Sequence, residues 1–327
     1  MNAQEPNQTS QHCLEKTIDI VIPVKNGGEK LIEHVRLWLE QEIPEDWEIS
    51  LFLVDDGSTD GIPEKIGNMF PNSVTVIRNS QSKGRAAARN IGASYGKGSF
   101  IAFFDALGFP ATKKALASHI ERLESGKKCL FGGVSAEGND FGAKYFRRIC
   151  DRRKLKFIMG EKHTLTTANF MVSRLLFCQV GKFDERYQSY GFEDRDLFIK
   201  IADRYPEICY VPEAIINRDV SDFTLNGICE KMYSAGRYTS SIFYETHPDV
   251  YKSMIYSKVD VRCCGAFKRW VFNLMISFCP LSLIVGQIVL KNPVPFWVKA
   301  AIVQICSGLF FMSGTKDDWL ASKSFLG

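Results

Sequence analysis

The hydrophobic residues in the first 130 positions fall into short runs separated by amphipathic stretches. Four of these runs are rich in β-branched and aromatic residues and end at polar or turn-forming residues: Ile18–Ile22, Ile49–Val54, Val74–Ile77 and Phe100–Phe104. Between the first two, apolar residues recur at helical spacing from Leu31 to Leu39. Strands and helices that alternate at this pitch predict an α/β fold: a doubly wound, mostly parallel sheet with helices on both faces.

The pattern continues less regularly after this region. We expect a helix over Thr112–Leu123, strands over Cys129–Phe131 and Thr166–Val172, and a helix over Glu193–Arg204 with an apolar stripe. An Ala-rich helix is also predicted over Arg85–Tyr95, because glycines flank it on both sides.

The last sixty residues are of a different kind. Val271–Leu290 contains no charged residue, and Val294–Thr315 contains one, Lys299. Each stretch is long enough to cross a bilayer. We therefore expect an apolar helical hairpin at a membrane, although two core helices or an interfacial pair would give the same pattern. The basic pair Lys268-Arg269 before the first stretch favours the cytoplasmic face of the cell membrane for the preceding half.

The charge balance is nearly even, with 41 Lys and Arg against 37 Asp and Glu, and does not favour nucleic acid as a partner. One segment, Lys144–Lys156, carries seven basic residues and one acid. It predicts either a solvated helix face or a surface that faces phosphates or anionic lipid.

The ten cysteines show no paired spacing, which favours a reducing compartment, and no Cys or His cluster has the spacing of a zinc site. We expect no signal peptide, because the first sixteen residues contain no apolar run.

Carboxylates follow several predicted strands. Asp55-Asp56 follows the second strand, Asp105 follows the fourth, and Glu193-Asp194 opens a later helix. Because parallel strands end at one edge of a sheet, these acids should approach one another there. One acidic site suits a metal-bound or phosphate-rich donor, and another suits a base that removes a proton from an acceptor.

Four segments resemble family-2 glycosyltransferases of the GT-A fold: IDIVIPVKN, FLVDDGSTDG, KGRAAARNIGASYGKGSFIAFFDA with Pro110 after it, and ANFMVSR followed by VGKFDERYQSYGFEDRDL. The resemblance covers about residues 17–220. It implies inverting transfer of a sugar from a nucleotide-sugar donor to an acceptor hydroxyl. The apolar C-terminal stretches alone lead us to expect a lipid-linked or glycan acceptor, as in polysaccharide biosynthesis.

The resemblance also implies roles for particular residues. Asp56 would contact a uracil-type base. The other residues expected to bind the donor are Pro23, Val24, Lys25, Asp55, Lys83, Arg85 and Asp105. Three basic residues, Lys83, Arg85 and Arg89, lie near a predicted helix N-terminus, where an anion is favoured.

Asp105 matches the first acid of the family's DxD motif, which binds a divalent cation, Mg²⁺ or Mn²⁺. The second acid is replaced by Leu107. The replacement predicts either a weakened metal site or basic side chains in place of the metal, and it leaves open a degenerate protein that binds donor without transferring sugar.

The segment Glu193-Asp194 matches the family's ED motif. The resemblance makes Asp194 the general base and has Glu193 orient the acceptor or the base. Asn169 is expected on the acceptor side.

We predict five regions along the chain: a flexible N-terminus (1–16), a GT-A domain (17–225), a helical, basic connecting region (226–270), the apolar hairpin (271–315) and a tail (316–327). The sequence leaves the oligomeric state open.

Overall fold

A computed structural model describes residues 16–221 and 223–324 of the chain, and an eight-stranded mixed sheet runs through its centre. The strands are β1 (Thr17–Val24), β2 (Glu48–Asp55), β3 (Val74–Arg78), β4 (Phe100–Phe104), β5 (Gly108–Pro110), β6 (Cys129–Ser135), β7 (Asn169–Ser173) and β8 (Cys209–Arg218). Their order across the sheet is β3-β2-β1-β4-β7-β6-β8-β5. Four of these seven neighbouring pairs are parallel, so the predicted mostly parallel α/β sheet is confirmed.

Helices pack on both faces of the sheet and continue beyond it. In the described residues they are α1 (Lys30–Leu39), α2 (Ile62–Met69), α3 (Arg85–Tyr95), α4 (Ala115–Glu124), α5 (Phe141–Ile158), α6 (Arg174–Gln179), α7 (Glu193–Arg204), α8 (Leu225–Ser234), α9 (Ser240–Thr246), α10 (Pro248–Ser253), α11 (Ile255–Lys258), α12 (Ala266–Ile276), α13 (Cys279–Lys291) and α14 (Phe296–Ser324). A π-helical turn, Ala235–Thr239, joins α8 to α9.

The first strand is buried on both faces, which explains its continuous apolar run. Ile18, Ile20 and Ile22 pack into the core layer that contains α1 and α4. Val21 points to the opposite layer, which contains α3 and α7. Parallel strands that are covered on both sides need this composition, and so the N-terminal half could be predicted from its apolar runs.

Helix α3 lies unusually close to the sheet because Gly92, which has no side chain, is the residue of α3 that faces β1 and β2. A Cβ atom on Gly92 would lie 2.4 Å from Cγ1 of Val21 and 2.9 Å from Cγ2 of Val54. Neither separation is compatible with ordinary packing, so the helix can sit this near β1 and β2 only without a side chain there. The close approach also fixes the position of the other side chains of α3, including the buried Arg89, relative to the sheet.

Several elements differ from what the sequence predicts. The strand expected over Thr166–Val172 begins at Asn169, because the preceding threonines bond to a carboxylate described below. The sequence analysis did not predict β5 and β8, which pair antiparallel with each other. The uncharged stretch Val271–Leu290 is not one straight helix, since α12 and α13 meet at a bend of 52°.

The C-terminal helices pack against the catalytic half. Phe311 of α14 is fully buried in the same core layer as α3 and α7. A Cβ on Gly236 would lie 2.4 Å from the carbonyl oxygen of Phe311, and a Cβ on Gly314 would lie 2.2 Å from that of Tyr233. The backbones of α14 and the α8 region therefore touch with no side chain between them. The division of the chain into five regions, with boundaries near residues 16, 225, 270 and 315, remains a prediction.

The Gly92 packing gives a stability prediction. We expect Gly92→Ala to lower the free energy of unfolding by about 1–3 kcal/mol, because the new methyl group must displace two buried valines. Denaturant unfolding followed by circular dichroism measures this change. Gly308→Ala is the matched control: its Cβ would meet nothing within 4 Å, so the substitution should be neutral or stabilising by up to about 1 kcal/mol. Equal stability of the two variants would contradict the packing argument.

Candidate active site

Arg89 joins the end of β4 to the start of α7. It lies on the second turn of α3 and is 1% exposed. Its Nη2 donates to Oδ1 of Asp105 at 3.0 Å, and its Nη1 lies 3.5 Å from Oε1 of Glu193 and 3.5 Å from Oδ1 of Asp194. One guanidinium therefore gathers the three acids of the predicted DxD and ED motifs into a single cluster. From the sequence alone, Arg89 is expected only to favour an anion near the start of α3.

Glu193 is the buried member of the acid pair. Burial raises the pKa of the Glu193 carboxyl, and the negative charge of Asp194 raises it further, against the lowering effect of Arg89 and Arg85. A carboxyl that is buried and held toward its neutral form is poorly placed to exchange protons with a substrate. Glu193 is more deeply buried than Asp194, a position that suits a residue that orients its neighbour. The orienting role remains a prediction.

Asp194 reaches the cleft and is held by two threonines. Its side chain is 22% exposed. Oδ2 accepts hydrogen bonds from Oγ1 of Thr166 at 3.0 Å and from the backbone N–H of Thr167 at 3.3 Å, and Oδ1 accepts one from Oγ1 of Thr167 at 2.6 Å. These bonds fix the carboxylate while part of it stays open to solvent. The sequence analysis missed both threonines, although two hydroxyl residues before a buried strand are a recognisable signal.

The turn before α7 adopts an uncommon backbone conformation. Gly191 has φ +100° and Phe192 has φ +71°, a region that residues with a side chain rarely occupy. The ring of Phe192 packs against those of Phe243 and Tyr256, with centroids 5.1 and 5.2 Å away. Aromatic packing from the C-terminal helices thus holds the turn that presents Glu193 and Asp194.

Asp105 is surrounded by arginines. Besides Arg89, Nη1 of Arg218 at the end of β8 lies 3.8 Å from Oδ2 of Asp105. Burial raises the pKa of Asp105, but the charges of Arg89, Arg85 and Arg218 outweigh that effect and hold it below its usual value. Asp105 is therefore an ionised carboxylate whose charge is already neutralised by the protein.

The surroundings of Asp105 do not fit a cation held by two carboxylates. The side chain two residues on is Leu107, and its backbone oxygen accepts from the N–H of Asp219 at 2.8 Å in the turn toward β5. In residues 16–221 and 223–324, no group of three or more His, Cys, Asp and Glu side chains could hold a metal ion. The assignment of Asp105 as a metal ligand remains a prediction.

The Asp55-Asp56 pair organises the loops at the end of β2. Asp56 accepts four hydrogen bonds: from Nδ2 of Asn79 at 2.9 Å, from Oγ of Ser82 at 2.7 Å, and from the backbone N–H groups of Lys83 at 2.8 Å and Gly84 at 3.0 Å. Burial raises the pKa of Asp56, but these bonds lower it more, so the carboxylate is ionised. Since a carboxylate has about four lone-pair sites, a nucleobase would have to displace one of these donors.

The remaining predicted donor residues lie at this same edge of the sheet. Pro23 and Val24 end β1 beside Val54 and Asp55 of β2. Lys25, Lys83 and Arg85 are exposed, and Arg85 lies 5.1 Å from the ring centroid of Tyr190, just before the acid pair. The buried carboxylate of Asp55 accepts from the N–H of Ser58 at 2.7 Å. The structure thus brings all of these residues to one edge without testing their roles.

Asn169 is not exposed to an acceptor. It is 1% exposed, and its Nδ2 donates to the backbone oxygens of Gly133 at 2.9 Å and Ala214 at 2.7 Å. Its Oδ1 lies 2.9 Å from Nε2 of His119. Asn169 therefore ties β7 to its neighbours as a buried residue, and its expected part in shaping the acceptor side remains a prediction.

Comparison with known proteins identifies the family and the fold of this chain. Residues 19–181, about half of the chain, match the model of Glycosyl transferase family 2. The structure superimposes on the mannosyltransferase PcManGT of Pyrobaculum calidifontis with a TM-score of 0.57 and 14% identity, over 92% of this chain and 87% of that one. The GT-A fold is therefore confirmed, and the chain belongs to glycosyl transferase family 2.

The curated relatives match over shorter segments. The glycosyltransferase GlyG of Streptococcus pneumoniae serotype 4 is 36% identical over 94 residues, which are 28% of this chain and 30% of GlyG. A glucosyltransferase of Escherichia coli, WfaP, is 29% identical over 110 residues, which are 34% of this chain and 42% of WfaP. The matched segments thus span less than half the length of either relative.

The missing second acid leads to a test of metal binding. We expect Mn²⁺ to tighten nucleoside diphosphate binding about tenfold more in Leu107→Asp than in the wild type, because the substitution adds a second carboxylate beside Asp105. Calorimetric titrations of UDP and GDP with Mn²⁺ and with chelator measure the difference. Leu107→Asn is the matched control without the charge. If the wild type lost all nucleotide binding in chelator, Asp105 would hold a cation without the second acid.

Proposed function

We propose that this chain is an inverting glycosyltransferase that moves a sugar from a nucleotide-diphospho-sugar to an acceptor hydroxyl, with Asp194 as general base. The observation that carries the proposal is the partly exposed carboxylate of Asp194, held near Asp105 by the shared guanidinium of Arg89. Membership of glycosyl transferase family 2 supports the reaction class. PcManGT is described in complex with GDP-Man and Mn²⁺, and WfaP as acting from UDP-Glc on a GlcNAc-diphosphoundecaprenol.

In the proposed reaction, Asp194 takes the proton of the acceptor hydroxyl as that oxygen attacks the anomeric carbon. The bond to the departing nucleoside diphosphate breaks on the opposite face of the sugar, so the anomeric configuration inverts. The charges of Arg85 and Arg218 act on Asp105, and on this proposal they would stabilise the negative charge that develops on the leaving diphosphate. Thr166 and Thr167 keep the base in place before the substrate arrives.

A binding or scaffolding role without catalysis is the alternative. It is favoured by Leu107 at the position of the second DxD acid and by the arginines that already neutralise Asp105. Turnover separates the two hypotheses, since a scaffolding protein would bind nucleotide sugar but release no free nucleoside diphosphate.

The first prediction from this proposal concerns the base. We expect Asp194→Asn to reduce the transfer rate by about 10² to 10⁴, because the amide cannot accept the acceptor proton. Donor affinity should change little, because Asp194 acts on the acceptor. Released nucleoside diphosphate and calorimetric donor binding measure the two effects. Asp203→Asn, an exposed acid on the same helix, is the control. Near-normal turnover in Asp194→Asn would exclude the role.

We also propose that the chain rests on the cytoplasmic face of the cell membrane through α12 and α13, where a lipid-linked acceptor would be available. Both helices and the bend between them turn apolar side chains outward. The residues concerned are Phe267, Trp270, Leu274, Phe278, Leu281, Ile284 and Ile288. Phe267 is 79% exposed and Trp270 is 64% exposed, values that are costly for large apolar side chains in water. An outward apolar face of this extent suits insertion into the boundary of a bilayer.

The charges around this face fit anionic lipid. Residues 261–316 contain six Lys or Arg and no Asp or Glu. By length and composition, one described helix, Phe296–Ala321, could cross a membrane, and the bent pair α12 and α13 would at most count as a second span. Val303, Cys306 and Phe311 of that long helix are fully buried against protein. We therefore favour helices that lie in the plane of the membrane surface over a spanning hairpin.

This attachment can be tested with vesicles. We expect the wild-type chain to bind phosphatidylglycerol vesicles and to stay bound in high salt, because apolar insertion is not screened. Phe267→Ser combined with Trp270→Ser should weaken the partition by about tenfold or more, because two large apolar groups are lost. Tyr95→Ser, a similarly exposed aromatic on α3, is the control. Release of the wild type by salt would indicate attachment by charge alone, and a wholly soluble wild type would exclude the membrane proposal.

A further inference from the structure

A small cavity with a basic wall lies beside the predicted base. Its volume is about 230 Å³, and it is enclosed by β6, α5, β8 and the segment before β7. Three cations of α5 line it, Arg147, Arg153 and Lys154, together with one acid, Asp151. These residues belong to the basic segment Lys144–Lys156, whose charge the proposed reaction does not use. The cavity shows that part of this segment faces inward, so the segment is more than a solvated helix face.

Arg153 is the cation in this wall for which residues 16–221 and 223–324 supply no hydrogen-bond, ion-pair or aromatic partner. Arg147 donates to the backbone oxygens of Ala136 at 2.5 Å and Gly138 at 2.9 Å, and Nζ of Lys154 lies 4.7 Å from the ring centroid of Tyr210. The partly buried guanidinium of Arg153 makes no hydrogen bond or ion pair with any residue in the described ranges. A guanidinium withdrawn from water without an anion is costly, and an anionic ligand would remove that cost.

The cavity and Asp105 are linked to different oxygens of Asp194, the cavity through Thr166 to Oδ2 and Asp105 through Arg89 to Oδ1. Arg89 links Asp194 to Asp105, and Thr166 donates to Oδ2 of Asp194 at 3.0 Å while lining the cavity. Burial lowers the pKa of Arg153, but the charges that Cys150, Tyr190, Tyr256 and Asp194 can carry raise it more. The order along the site is therefore Asp105, Arg89, Asp194, Thr166 and the cavity.

We propose that this cavity binds a phosphate group of the acceptor, with Arg153 as its principal ligand. The inference rests on the proposed function, because it assigns the acceptor side of the same site. The donor's own phosphates would lie toward Asp105, where Arg85 and Arg218 are available. The acceptor class is thus a phosphorylated glycan or a glycosyl phosphate or diphosphate, with the reacting hydroxyl at Asp194 and its phosphate at Arg153. A bidentate arginine contact to phosphate would fix the acceptor's position as well as its affinity.

The binding test uses inorganic pyrophosphate as the probe. The full-length protein is first titrated with UDP and with GDP, which tests the donor site, and is then saturated with the nucleotide that binds and titrated with pyrophosphate by calorimetry. We expect saturable binding that weakens about tenfold or more in Arg153→Gln. Arg153→Lys should retain part of it, because the charge remains. Arg152→Gln removes the neighbouring, exposed charge and should leave the affinity unchanged.

The turnover test compares two acceptors with the same sugar, a glycosyl diphosphate on a lipid and a neutral alkyl glycoside. We expect Arg153→Gln to raise KM for the diphosphate acceptor about tenfold or more and to leave KM for the neutral glycoside and for the donor unchanged. An equal loss on both acceptors, or equal pyrophosphate affinity in Arg153→Gln and Arg152→Gln, would overturn the inference while leaving the proposed function intact. If neither nucleotide binds, the proposed function fails, and pyrophosphate titration of the protein alone still tests Arg153.

Discussion

The buried guanidinium of Arg89 is the interaction on which the rest of the site depends. Three carboxylates from two distant segments lie around it, and without a cation among them their mutual repulsion would separate the segments. Its position follows from backbone packing, because Gly92 one turn later lets α3 approach the sheet closely. The missing side chain at Gly92 thus determines where the positive charge of Arg89 lies among the three carboxylates.

This dependence explains why the acid pair is asymmetric. Glu193 and Asp194 are neighbours in sequence, yet one is buried behind the guanidinium and the other is held by threonine hydroxyls at the edge of the cleft. Two adjacent carboxylates in equivalent surroundings would compete for the same proton. Different surroundings assign one to support and leave the other available to a substrate.

The N-terminal half of the fold could be predicted from the sequence, and the reasons are local. Strands β1 and β4 and the end of β2 are buried on both faces and so appear as apolar runs, and the bounds of α3 are marked by glycines. The later strands are less visible. Strand β8 contains Pro212, and its pairing with β6 shifts register between Gly132 and Gly133, so its residues follow no clean alternation.

Some residues of the candidate site could likewise be predicted from the sequence, and others could not. Asp105 and the Glu193-Asp194 pair could be found because each stands directly at the end of a strand or the start of a helix. Arg89 and Arg218 could not be assigned, since their importance comes from which charges the fold brings near them, and sequence spacing does not record that. Asp56 shows the reverse case. Its position after β2 was predicted from the sequence. In the structure its carboxylate accepts four hydrogen bonds from the segment that carries Lys83, so the contacts of Asp56 serve to hold that loop in place.

The glycine contacts between α14 and the α8 region have a consequence for how such a protein would select its substrate. Gly236 and Gly314 leave no space for even a methyl group, so the two helices cannot slide past each other without clashing. An enzyme on a flexible tether samples many heights above a membrane and can reach hydroxyls at many distances from it. Here Phe272 of α12 packs on Met312 of α14, and Phe311 of α14 lies in the core layer that contains α7, so a chain of packed helices joins the apolar face to Asp194. For a protein resting on a bilayer through that face, the distance from the face to the Asp194 carboxylate would be set by helix packing. The enzyme would then select the acceptor hydroxyl by its height above the lipid.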